Sequence, residues 1–154
     1  MAVDLLDRIL EAARIGETTD WEFKSAKGGF PGSFWETYSA MANSEGGVIL
    51  LGVREKDGDV HFDGLTPEQA TKHQKYFWDN AHNRNTVSTN LLTSQDVSIV
   101  DLDGPMLLAI QVPRATRTQR PVYLGHNPLG HTYQRLVGWC HVAPFAMFEP
   151  EWRR

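Results

Sequence analysis

The chain has 154 residues and a formal net charge of −4, with 41% hydrophobic and 22% charged residues, the proportions of one ordinary globular domain with room for a sizeable core. Its single cysteine, Cys140, excludes an intrachain disulfide; Asp4, Asp7 and Arg8 interrupt any apolar signal-peptide segment, and no apolar run nears the roughly 20 residues of a membrane span. The expectation is a cytoplasmic protein without a membrane partner, whose overall acidity argues against nonspecific polyphosphate binding unless its basic residues cluster.

Residues 3–14 read as a helix, with Leu5, Leu6, Ile9, Leu10 and Ala13 as its apolar stripe and Gly16 as its stop. From Thr18 to Lys24 polar and aromatic residues alternate as in a half-buried strand, sending Trp21 and Phe23 to one face and Asp20, Glu22 and Lys24 to the other. A loop over 27–32 leads to Ser33 and Glu36, spaced as a capping box, and to a helix carrying Phe34, Tyr38, Met41 and Ala42. Gly46-Gly47 turns the chain, and the unbroken apolar run from Val48 to Val53 predicts a strand covered on both faces. The turn residues from Lys56 to Asp59, followed by Val60-His61-Phe62, make 48–62 a hairpin. Thr66, Pro67 and Gln69 mark a second helix start, and that helix runs to about residue 82 with Ala70, Gln74, Phe77 and Ala81 on one side.

Residues 83–93 are polar and read as loop. Strands over 97–102 and 106–112 are joined by Asp103-Gly104, a hairpin signal. A basic connection over 114–120 lies between Pro113 and Pro121; 122–124 reads as a short strand, 125–130 as loop and 131–137 as an alternating strand. An aromatic tail fills 143–154. The predicted class is α+β: a single domain over residues 1–154 with a mixed or mainly antiparallel β-sheet flanked by helices.

Several short runs then follow one another in a recognisable order. They are Gly16-Glu17 with Trp21-Glu22-Phe23-Lys24, Ser39 to Gly47, Val48 to Val53, and Asp63-Gly64-Leu65. Val112-Pro113-Arg114, Arg120-Pro121-Val122-Tyr123 and Tyr133 to Gly138 complete the series. In these runs the chain resembles the Schlafen AlbA-type domain family over about residues 15–140. The resemblance implies an α+β nucleic-acid-binding fold with DNA or RNA as partner. In bacteria such a domain often opens a transcriptional-regulator-like protein, with winged-helix modules after it. None is visible in this sequence, so the expectation is a stand-alone or an excised domain. Animal Schlafens pair two such folds into an RNA endonuclease with three acids. Glu17 and Glu22 fall on the first two acid positions, and Glu55 or Asp57 stands nearest the third.

Glu17 and Glu22, with Asp20, offer the carboxylate oxygens that Mg²⁺ or Mn²⁺ prefers, and Lys24 on the same face offers an ammonium for a phosphorane-like transition state. Glu17, Glu22 and Lys24 are therefore candidate catalytic residues, and Glu17, Glu22 and Glu55 candidate metal ligands, of an endoribonuclease. The competing reading is a solvated strand face with a modest ion pair. Asn43 to Gly47 lacks the Lys-Ser/Thr of a P-loop and follows a helix, which argues against ATP; a geometric role, with Asn43 satisfying the turn through its side chain, fits instead. Arg114, Arg117 and Arg120, with Arg135, Tyr123 and Tyr133, have the composition of a surface that contacts phosphate and stacks bases. The alternative there is a solvated loop that binds nothing. The six histidines form no metal pattern. Trp139, Phe145, Phe148 and Trp152 allow a third reading, a protein-interaction module or homodimer that buries them. The leading expectation is a nucleic-acid-binding domain acting through Arg114, Arg117, Arg120, Tyr133 and Arg135, with no certain cofactor.

Overall fold

The apolar run that begins at Val48 lies at the middle of the fold, because both of its faces are covered. The computed structural model describes residues 2–16, 18, 20–57, 59–136 and 139–142, with backbone alone for 2–4, 136 and 139–142. In chain order the elements are α1 (Ala2–Ile15), β1 (Trp21–Lys24), α2 (Phe34–Ala42), β2 (Gly47–Leu51), β3 (Val53–Lys56) and β4 (Asp59–Phe62). Then come α3 (Pro67–Ala81), β5 (Val97–Asp101), β6 (Met106–Val112), β7 (Tyr133–Leu136) and β8 (Trp139–Val142).

The main sheet has the order β1-β2-β6-β5. β1 and β2 are parallel, with α2 as their crossover, and the other two pairings are antiparallel. The sheet is therefore mixed and the class α+β, as expected. Val48 and Leu50 face one apolar cluster with Phe23, Leu5 and Ile9 of α1. Ile49 and Leu51 face the other, with Phe34 and Tyr38 of α2 and Phe77 of α3. Thus α1 covers one face of the sheet, and α2 and α3 cover the other. No described helix is long and apolar enough to cross a membrane.

Several local expectations are corrected. The strand expected from Thr18 begins at Trp21, because the Thr18 N–H donates back to the Trp21 carbonyl at 3.2 Å. The buried stripe of α1 is Leu5, Ile9 and Ala12, whereas Leu10 is 49% exposed. The expected hairpin over 48–62 is two pieces: β2 ends at Leu51, Gly52 turns the chain with φ +99°, and β3 and β4 pair in a separate two-stranded sheet. That small sheet is tied down where Asp63 accepts from Arg54 Nε at 2.6 Å and from Ser25 Oγ at 2.9 Å.

The capping box expected at Ser33 and Glu36 does not form. Ser33 occupies the N-cap of α2, but its hydroxyl makes no cap bond and instead accepts from Lys24 Nζ at 2.8 Å. At α3 the box is complete, with Thr66 and Gln69 bonding reciprocally. The side of α3 facing the core is Ala70, His73, Phe77 and Ala81, with His73 Nε2 donating to the Ala26 carbonyl at 2.8 Å in place of the expected Gln74.

The glycine pair after α2 is a packing requirement. Gly46 has φ +78°, and a Cβ there would stand 2.6 Å from the Val112 carbonyl; one on Gly47 would stand 2.8 Å from Met41 Sδ. Only glycine lets α2, β2 and the end of β6 approach this closely.

Candidate functional site

The expected arginine segment begins where the Ala115 N–H donates to the carbonyl of Ala42, the last residue of α2, at 2.8 Å. Residues 116–120 then form a turn: Thr116 donates its N–H to Gln119 Oε1 at 2.8 Å, and Gln119 and Arg120 donate theirs to the Thr116 carbonyl. The Arg120–Pro121 peptide is cis. Beyond it the backbone is clamped from α2. The Asn43 amide nitrogen donates to the carbonyls of Val122 at 2.8 Å and Tyr133 at 2.9 Å, while its oxygen accepts from the Val122 N–H at 2.8 Å. Ser39 Oγ donates to the Val122 carbonyl at 2.8 Å and accepts from the Tyr133 N–H at 3.0 Å, and Ser44 Oγ accepts from the Arg135 N–H at 2.9 Å. Asn43 therefore does not close its own turn, as expected of it; it has the αR conformation, and its side chain joins two distant segments. The short strand expected over 122–124 is reduced to isolated bridges, Val87 with Leu124 and Tyr123 with Thr132.

Opposite the arginine turn lies the turn that follows α3. Asn83 Oδ1 accepts from the Asn85 N–H at 2.9 Å, and His126 Nε2 sits 2.5 Å from Asn85 Oδ1. The Ser88 N–H donates to the Tyr123 carbonyl at 2.8 Å, and Ser88 Oγ accepts from the Tyr123 N–H at 3.0 Å. Between the two segments is a groove of about 540 Å³, lined by Arg84, Ser88, Thr89, Thr118, Gln119, Arg120, Pro121, Tyr123 and Pro128. Among the described residues, none that lines it is acidic. Arg117, exposed on the same turn, adjoins it in the chain. Arg84 and Arg117 form no ion pair among the described residues. In a chain of net charge −4, this is a locally cationic surface beside an aromatic ring.

The other arginines of the expected set lie elsewhere. Arg114 Nη1 is 3.5 Å from Glu45 Oε2, an exposed pair that fixes little. Tyr133 opens β7, is half-buried and lies outside the groove lining. Arg135 is not at the surface. Its side chain is 1% exposed; its Nη2 lies 2.9 Å from Glu22 Oε1 and donates to the carbonyls of Thr18 at 2.8 Å and Trp21 at 3.3 Å. The guanidinium serves to dock β7 on β1.

This docking also decides what Glu22 can do. Its Oε1 faces Arg135, and its Oε2 lies 3.7 Å from Lys24 Nζ, which in turn donates to Ser33. Two cations already flank the one carboxylate, and at 16% exposure its side chain is not part of a solvated face. Glu55 is exposed on β3, and a Cβ on Gly16 would stand 3.8 Å from its Oε1. Val53 on the same strand packs in the cluster of Phe23. Glu17 lies outside the described residues, as do the side chain of Trp139 and all of Phe145, Phe148 and Trp152. Among the described residues no group of three His, Cys, Asp or Glu side chains is placed to hold a metal ion. Of the three expected donors, Glu22 and Glu55 are thus the two that the described residues include.

Sequence reasoning missed Arg84, which sat in a polar stretch without periodicity. It also missed Ser39, Asn43 and Ser44 as clamps, although Ser39 and Asn43, four residues apart at the end of α2, mark a polar face that needs partners.

The fold is similar to that of the N-terminal domain of a RecG-related protein from Nitrosomonas europaea, with 29% sequence identity and a TM-score of 0.64 over 90% of this chain and 89% of that one. It is also similar to the DIP2311 protein from Corynebacterium diphtheriae, with 17% identity and a TM-score of 0.53. That match covers 99% of this chain and 28% of the other, and it is a likeness of fold alone. No curated protein matches the chain. The profile of the Schlafen AlbA_2 family matches residues 17–141, and the chain belongs to that family.

Proposed function

We propose that the chain is a nucleic-acid-binding domain that holds a polynucleotide along the groove between the turn after α3 and the arginine turn. The observation that carries this reading is the groove itself: Arg84 and Arg120 line it with Tyr123, and among the described residues no carboxylate does. Arginine beside an aromatic ring suits phosphate contact combined with base stacking. The family supports the reading, as does the likeness to a protein named as related to the DNA helicase RecG. Such a domain would serve a transcriptional-regulator-like or RNA-processing protein by holding the strand; cutting it is not part of the proposal, since Glu22 is committed to Arg135.

The test is binding measured across a salt series. Replacing Arg84 and Arg117 together by alanine should weaken binding and flatten the slope of log K against log salt by about 1.4, the loss of two phosphate contacts to a single strand. Arg114→Ala, already paired with Glu45, should change the slope by less than either groove arginine. An unchanged affinity and slope in the double variant would remove the groove from the account.

A further inference from the structure

We infer that the groove receives one unpaired nucleotide, so that the domain prefers single-stranded to double-stranded nucleic acid. The inference rests on the binding proposed above and adds the form of the ligand. Its first ground is shape. The groove is open to solvent and measures about 540 Å³, a volume in the roughly 300–1,000 Å³ range of small-molecule sites. A nucleotide is of that class, and a duplex is not. The phosphates of a duplex can meet the exposed rim residues Arg84 and Arg117, but its bases are stacked inside and leave only at a cost in pairing and stacking.

The second ground is the chemistry inside the rim. Arg120 and Tyr123 are half-buried in the lining, and stacking on them takes a base that has left its duplex stack. A tyrosine ring and a guanidinium plane are both stacking surfaces for a base. Gln119 Oε1 and Ser88 Oγ already accept backbone N–H groups. What these two side chains still offer is therefore donors, the Gln119 amide hydrogens and the Ser88 hydroxyl hydrogen. Donors recognise the carbonyl and ring-nitrogen acceptors that a base exposes once it is unpaired.

The third ground is that the walls are built before any ligand arrives. Backbone bonds join Ser88 to Tyr123, and Asn43 and Ser39 hold Val122 from α2. Binding into such a recess orders little of the protein.

The experiment measures fluorescence anisotropy with a short labelled strand and with a hairpin-closed duplex of the same sequence, as DNA and as RNA, at one salt concentration. The expected result is binding of the single strand tighter by about tenfold or more. Tyr123→Leu and Gln119→Ala should each reduce that preference and leave duplex affinity unchanged, whereas Arg117→Ala should weaken both forms. Thermal melts accompany each variant; should Tyr123→Leu fail to fold, Gln119→Ala decides. Equal or tighter duplex binding by the wild type would overturn the inference while leaving the proposed function standing, as would a preference that survives in folded variants. Binding of neither form at low salt would end both.

Discussion

Replacing Glu22 by alanine tests whether this residue serves the fold or stands free for chemistry. The Arg135 side chain is 1% exposed and Glu22 16%, with Nη2 and Oε1 2.9 Å apart. The substitution would leave the guanidinium charge in its buried position without the carboxylate. Losing one partner of a buried pair costs about 3–5 kcal/mol, and the partial access of water at Glu22 lowers the expectation to about 2–4 kcal/mol. With a urea m-value of about 2 kcal/mol/M, the unfolding midpoint followed by circular dichroism should fall by about 1–2 M. Glu22→Gln keeps an oxygen for Arg135 and should fall between the alanine variant and wild type. Lys24→Ala removes the more distant cation, 3.7 Å away, together with its bond to Ser33 Oγ, and should cost less than Glu22→Ala because it leaves the Arg135–Glu22 pair in place. Glu22→Leu combined with Arg135→Met should cost less than the sum of the two alone, because no charge is left unbalanced. A Glu22→Ala protein within about 0.5 kcal/mol of wild type would refute the reasoning, since that is the range of an ordinary surface change.

Two further outcomes follow from buried polar groups. Asn43→Ala leaves the Val122 N–H and the Tyr133 carbonyl without the bonds that Asn43 makes to them, while Ser39 Oγ still serves the Val122 carbonyl; it should cost about 2–4 kcal/mol and speed amide exchange at Val122, and unchanged protection there would contradict the clamp. Tyr38, whose hydroxyl donates to the Thr89 carbonyl and accepts from the Leu91 N–H, has its pKa pushed up by burial to about 12 from 10.0. Because the folded value is the higher one, the phenol ionises first in the unfolded chain. Its contribution is complete below pH 10 and is lost as pH rises towards 12, with about 1.4 kcal/mol gone by pH 11. Tyr38→Phe should be less stable at neutral pH and should converge on the wild-type curve in this window; parallel curves would exclude the linkage.

The parts of the fold legible in the sequence are those whose cause is local. Thr66 and Gln69 satisfy each other within one turn, so their spacing announces α3. The run from Val48 to Leu51 is apolar throughout because clusters lie on both sides, and the pattern shows it. Ser33 and Glu36 have the same local signature as Thr66 and Gln69, but a lysine on the neighbouring strand takes the serine hydroxyl. No window around Ser33 contains that information. The site is harder for the same reason. Arg135 groups with Arg114, Arg117 and Arg120 by residue type, yet its partner is Glu22 at the other end of the chain. Arg84 joins Arg120 only because Ser88 and Tyr123 bring two loops together.

Asn43 and Ser39 grip the segment from Val122 to Tyr133 by main-chain atoms at both of its ends. Those atoms are the same whatever side chains the segment carries. The residues between these two anchor points can therefore change while the frame that presents them stays as it is.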